Sequence, residues 1–115
     1  MKKKANPNPL PAHPVRGSRT GRPVMAALDL LGRRWALRVI WELRGGPLRF
    51  RELQSASSVA PSVLNTRISE LREAALVELG SSGYTLTTLG RSLLVALEPL
   101  ASWAEEWAWE RSHER

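Results

Sequence analysis

The whole net charge of this chain sits in its first 22 residues, and that divides it into two objects which cannot share one core. Met1 to Arg22 holds Lys2, Lys3, Lys4, Arg16, Arg19 and Arg22 and no acid, which accounts for the full formal charge of +6. From Pro23 onward 11 Arg face 11 Asp or Glu, so the remainder is neutral. The same first segment carries Pro7, Pro9, Pro11, Pro14, Asn6, Asn8, Gly17 and Gly21 and few apolar side chains. It has too little apolar surface to offset its ordering entropy, and it reads as a disordered, basic, Pro-rich arm. A basic arm on a neutral body suggests an anionic partner reached by a tail.

Residues 23–115 form the second object, 93 residues long. That is one domain with a modest core, a size that usually benefits from dimerisation. The chain has no Cys, which excludes disulfides and thiol redox sensing and argues against structural zinc. The arm lacks the apolar stretch of about 7–15 residues that a signal peptide needs. No segment approaches the roughly 18 apolar residues of a membrane span. The expectation is a cytoplasmic protein with no membrane partner.

Apolar spacing gives the order of elements. Pro23 suits a first helical position, Val24, Ala27, Leu28 and Leu31 follow at helical spacing, and Gly32 stops the helix. Trp35 to Leu43 reads as a second helix with Trp35, Val39, Ile40 and Leu43 buried, ended by Gly45-Gly46-Pro47. Leu48 to Phe50 reads as a small strand, Arg51 to Ala56 as a brief helix, and Ser57-Ser58 as a turn. A fourth helix runs from Pro61 to about Ala74, with Leu64, Ile68 and Leu71 inward. Ser62, Asn65, Thr66, Ser69 and Arg72 then point out, with Arg67 near the edge. Val77–Leu79 and Tyr84–Leu86 flank Gly80-Ser81-Ser82-Gly83, a hairpin signal. Thr87 can cap a long last helix, along which Leu89, Leu93, Leu97, Leu100, Ala104 and Trp107 form an apolar stripe. Pro99 lies inside it and should kink it.

This order predicts a mainly α chain with a small β-hairpin: a winged helix-turn-helix with a long C-terminal dimerisation helix. Such a fold presents its second helix, here Pro61 to Glu73, to the DNA major groove, with residues 80–83 as the wing tip.

The run Pro23-Val24, Ala27-Leu28-Asp29-Leu30-Leu31-Gly32, Trp35, Glu42-Leu43, Gly46-Pro47, Arg49-Phe50, Glu52-Leu53 resembles the HxlR family of bacterial winged-helix transcription regulators. So do Pro61, Val63-Leu64, Arg67-Ile68, Glu70-Leu71, Leu76-Val77-Glu78, Tyr84-Thr85-Leu86-Thr87 and Leu89-Gly90-Arg91-Ser92-Leu93. The resemblance covers about residues 22–107. It implies a homodimer built by the first and last helices on a two-fold site in double-stranded DNA. This chain departs from the family in four places. Arg22 stands where many members have a sensing Cys, so thiol sensing does not carry over. Ala60 and Ser62 replace a common Ser cap and Lys. Ala75 replaces a usual Gly. The wing is short and has no cation.

The residues expected to meet DNA are Arg49 and Arg51 at the start of the helix-turn-helix, Ser62, Asn65, Thr66, Arg67, Ser69 and Arg72 on the recognition helix, and Ser81 and Ser82 on the wing. Arg67 and Asn65 suit guanine and adenine edges. The alternative for Arg67 is an i, i+3 ion pair with Glu70, and the bland reading of Arg72 is a solvated face. The arm could add phosphate or minor-groove contacts.

Five Trp against one Phe and one Tyr is unusual. Trp35, Trp41, Trp103 and Trp107 are read as an aromatic cluster that packs a dimer or lines a pocket for a small aromatic effector. No catalytic constellation, metal site or cofactor motif is apparent: His13 and His113 lie at opposite ends, and the Gly-rich turn lacks the Lys of a phosphate loop. The rival to a DNA-binding regulator is a winged-helix protein-interaction module that has lost specific DNA reading.

Overall fold

The computed structural model describes residues 22–113; the basic arm up to residue 21 and the last two residues lie outside the described residues. Five helices and one hairpin follow in the order α1 (Pro23–Leu31), α2 (Ala36–Glu42), α3 (Phe50–Ser57), α4 (Pro61–Glu73), β1 (Val77–Gly80), β2 (Gly83–Leu86) and α5 (Thr88–Ser112). The core gathers Leu30 from α1, Val39 and Ile40 from α2, Leu53 from α3, and Leu64, Ile68 and Leu71 from α4, closed by Leu43, Val77 and Leu86. The spacing of Leu64, Ile68 and Leu71 puts all three on one face of α4, and all are buried.

Several expected boundaries shift. α2 starts at Ala36 because Trp35 has left-handed backbone (φ 76°), so Trp35 caps the helix from outside it. Leu43 is buried as expected but belongs to a 3-10 turn, Leu43–Gly45. The small strand at 48–50 shrinks to a single bridge, Leu48 to Tyr84, since Phe50 already begins α3. Ser57 is a buried helical residue rather than half of a turn, because its hydroxyl donates to the Leu53 carbonyl at 2.8 Å. The turn is made by Ser58 alone in left-handed conformation (φ 60°). The wing pairs Val77 with Leu86 through Gly80 with Gly83, leaving only Ser81 and Ser82 at the tip. Gly83 is obligatory there: its φ is 121°, and a Cβ would lie 2.5 Å from the Leu48 carbonyl oxygen.

Two caps connect α4 to α5. The Leu76 N–H donates to the Leu71 carbonyl at 2.9 Å and the Ala75 N–H to the Arg72 carbonyl at 3.0 Å, with Ala75 left-handed at φ 64°. This is a Schellman stop with Ala where Gly is the low-cost residue. The Ala75→Gly variant is therefore expected to be more stable by about 1 kcal/mol. A urea melt should show a higher midpoint at unchanged slope. Thr87 caps α5 as its residue type suggests, accepting from the Gly90 N–H at 2.9 Å and donating to the Ala75 carbonyl at 2.6 Å.

Pro99 does not end α5, which continues to Ser112. The apolar stripe of that helix is largely uncovered. Leu93, Leu97 and Ala104 are partly covered, whereas Leu89, Leu100 and Trp107 are about half exposed. Val95, Trp103 and Trp109 are exposed as well, as are Val24 and Leu28 of α1.

Candidate nucleic-acid interface

α4 is amphipathic with a polar face of short side chains. Ser62, Asn65, Thr66, Ser69 and Arg72 are all exposed, as the 3.6-residue period requires once Leu64, Ile68 and Leu71 are buried. The Thr66 hydroxyl donates to the Ser62 carbonyl at 3.0 Å, leaving its oxygen to accept. The N-cap, Ala60, supplies no side-chain hydrogen bond. The amides of the first turn are thus left to solvent or an anion, a property of uncapped helix starts.

Arg49 sits just before α3. Its N–H donates to the Glu52 carboxylate at 2.8 Å, which holds the first turn of α3. Its guanidinium reaches the Ser81 carbonyl at 3.4 Å, so the structure brings Arg49 to the wing tip. Arg51, Ser81 and Ser82 are exposed. Arg72 lines a shallow depression between α4 and β1 with Ser69, Glu73 and Glu78. Around the helix-turn-helix the exposed cations Arg49, Arg51 and Arg72 are matched by the exposed acids Glu52, Glu73 and Glu78. Arg38, which reaches the Ala56 carbonyl at the end of α3, is itself paired with Glu42, so with the exposed Arg34 this surface has shape and hydrogen-bonding groups but little net charge.

Arg67 takes the ion-pair alternative. Its Nη1 donates to Glu70 Oε1 at 2.8 Å and its Nε to the Arg34 carbonyl at 2.7 Å. Glu70 also accepts from Arg33 Nη1, and Arg33 Nη2 lies 3.8 Å from Asp29. The four side chains are only 17–21% exposed. The sequence reading missed Arg33 and the Arg34 carbonyl. The available signal was the i, i+4 pair Asp29 and Arg33; the link to Glu70 spans 37 residues and leaves no local trace.

Within one chain, two of the four Trp meet directly. Trp103 and Trp107 stack, with centroids 5.6 Å apart and planes within 11°. Trp35 instead has the Arg34 guanidinium 4.9 Å over its ring, and Trp41, half exposed, has that of Arg44 at 4.1 Å. Both contacts are short enough for cation–π attraction. A separate apolar groove of about 300 Å³ runs between α1 and α5, bounded by Ala26, Leu30, Leu31, Leu89, Leu93 and Ala96; among the described residues Ser92 is the only polar one lining it.

A core gathered from α1 to α4, a recognition helix with one face buried in it and a two-stranded wing define the class: a winged helix-turn-helix protein built to meet DNA. Residues 30–112 match the family model for the HxlR-like helix-turn-helix. The HTH-type transcriptional regulator YvaP of Bacillus subtilis is 30% identical over 89 residues, spanning 70% of this chain and 82% of that one. The HTH-type transcriptional regulator YodB of the same organism is 32% identical over 89 residues, spanning 70% and 80%. The crystal structure of quinone-bound YodB superimposes with a TM-score of 0.68 at 32% identity, covering 72% of this chain and 96% of that chain. A regulator assigned to the MarR family from Enterococcus faecalis V583 gives 0.66 at 30% identity, covering 77% and 88%. The chain belongs to the HxlR-like helix-turn-helix family. It is a DNA-binding transcriptional regulator, from a family of regulators rather than enzymes. No helix among the described residues is long and apolar enough to cross a membrane.

Proposed function

We propose that the chain works in the cytoplasm as a homodimer that reads a two-fold operator in double-stranded DNA. One α4 enters each of two successive major grooves, and the basic arm supplies the attraction to phosphates. The observation that carries this reading is the division of labour on the surface: exposed hydrogen-bonding side chains on α4, little net charge around them, and +6 on residues 1–22. In this arrangement Asn65 reads a base edge, with Ser62, Thr66 and Ser69 beside it. Arg49, Arg51 and Arg72, the wing hydroxyls of Ser81 and Ser82, and the first amides of α4 hold the backbone. The uncovered apolar side chains of α1 and α5 are what a second copy would bury.

A small, flat, apolar effector is a further element of this reading. Its support is the α1–α5 groove, which has the volume of a small-ligand site, and the quinone bound to the YodB structure. The two stacked rings, Trp103 and Trp107, serve dimer packing in this reading.

Base readers and phosphate holders separate experimentally. Fluorescence anisotropy on a bound duplex and its single-base variants should show Asn65→Ala relaxing preference at one position, with a loss of about 1–3 kcal/mol. Arg72→Ala should weaken all sequences alike and reduce the salt slope by about 2, one contact from each protomer of the proposed dimer. An Asn65→Ala protein with unchanged preference would remove Asn65 from the reading surface.

A further inference from the structure

We infer that Arg33, Glu70 and Arg67 form a clamp that fixes the recognition helix to the α1–α2 turn, so that α4 and α1 move as one piece. Arg67 is a positioning residue in this clamp, and its charge is not spent on DNA.

The clamp is built from both sides of the fold. Glu70 of α4 accepts from Arg33, just after α1, and from Arg67, one turn earlier on α4. Asp29, on the last turn of α1, lies against Arg33. Two acids and two cations make the group neutral, and its side chains are about four-fifths covered, so salt screens it far less than a surface pair. Arg67 spans the junction in a second way, through its Nε–H to the Arg34 carbonyl. That carbonyl immediately precedes Trp35, an aromatic residue held at φ 76°. A bulky side chain in left-handed backbone is a costly conformation that persists only where surrounding contacts over-determine it. The packing of the Trp35 ring against the core, the Arg34 guanidinium over that ring and the Arg67 hydrogen bond to the preceding carbonyl are among those contacts. The tilt of α4 is thus set from the α1–α2 turn, on the helix whose outer face, Val24 and Leu28, is uncovered. A displacement of α1 reaches α4 through this joint.

The functional half of the inference rests on the DNA-binding reading; the mechanical half does not, and the test keeps them apart. Glu70→Gln keeps the shape and removes the charge. Arg67→Lys keeps the charge, but an ammonium cannot reproduce the two-direction fork of a guanidinium. Hydrogen exchange on the free full-length variants should show protection of α4 and of residues 32–36 reduced about tenfold, with the β1–β2 hairpin unchanged. Wild-type exchange across α4 in both variants would overturn the clamp, whatever happens on DNA. On duplexes selected by the wild-type chain, both variants should lose about tenfold in affinity with an unchanged salt slope. Tighter binding by Glu70→Gln would mean that Glu70 merely repels phosphate. Wild-type affinity in Arg67→Lys with a slope lowered by about 2 in Arg67→Ala, one contact per protomer, would make Arg67 a phosphate contact. Either result overturns the positioning role. A wild-type chain that binds no duplex would sink the DNA reading, and the exchange data would still decide the clamp.

Discussion

Deleting residues 1–21 is expected to weaken DNA binding on the order of a thousand-fold at low salt and to flatten its salt dependence. The deletion removes five cations per chain, ten in the proposed dimer, from a protein whose remaining residues sum to one net positive charge. Each neutralised phosphate contributes about −0.9 to the slope of log affinity on log salt. If half of the ten cations engage, the slope changes by about 4–5, so the gap in affinity between the two proteins widens by about a thousand-fold as salt falls from roughly 250 to 50 mM. Preference between sequences should survive, because the exposed side chains of α4 remain. Equal affinity and equal slope in the full-length and shortened proteins would show that the arm takes no part.

Replacing Trp107 by Glu is expected to break the proposed dimer. Trp107 is 56% exposed and stacks on Trp103, itself 54% exposed, far along α5 from the buried core. Loss of a central interface Trp costs about 2 kcal/mol or more, and two-fold symmetry doubles it. About 4 kcal/mol is a thousand-fold in the dimer dissociation constant. Sedimentation velocity should show the wild type as a dimer at micromolar concentration and the variant as a folded monomer with unchanged helix content. Its DNA affinity should then fall to that of a single half-site. A wild-type chain that sediments as a monomer, or a Trp107→Glu protein that remains a dimer, would contradict the role given to α5.

The parts of the fold legible in the sequence are those set by neighbours in the chain. α1 and α4 both begin at a Pro in first helical position, and their bounds follow from that and from apolar spacing. The Thr87 cap and the hairpin are equally local. What the sequence did not show was fixed across the fold. Nothing about a Trp announces left-handed backbone; Trp35 adopts it where Arg34 and Arg67 converge from elements far apart in sequence. Ser57 looks like a turn residue but satisfies its hydroxyl on the Leu53 carbonyl and stays helical. The outward face of α4 was readable from helical period alone. The alternative for Arg67 was readable only as an i, i+3 pair, since its other partners arrive through the α1–α2 turn. Within one chain only Trp103 and Trp107 stack, because they are i, i+4 neighbours in the second half of α5, whereas Trp35 precedes α2 and Trp41 lies near its end.

The most direct test of a dimer reading a two-fold site is repeated selection of bound duplexes from a random-sequence pool by the full-length chain at moderate salt. A dimer reading two half-sites should enrich an inverted repeat, with half-sites about one helical turn of DNA apart and bound by two chains. A pool that stays random through successive rounds, or an enriched site without two-fold symmetry, would contradict it.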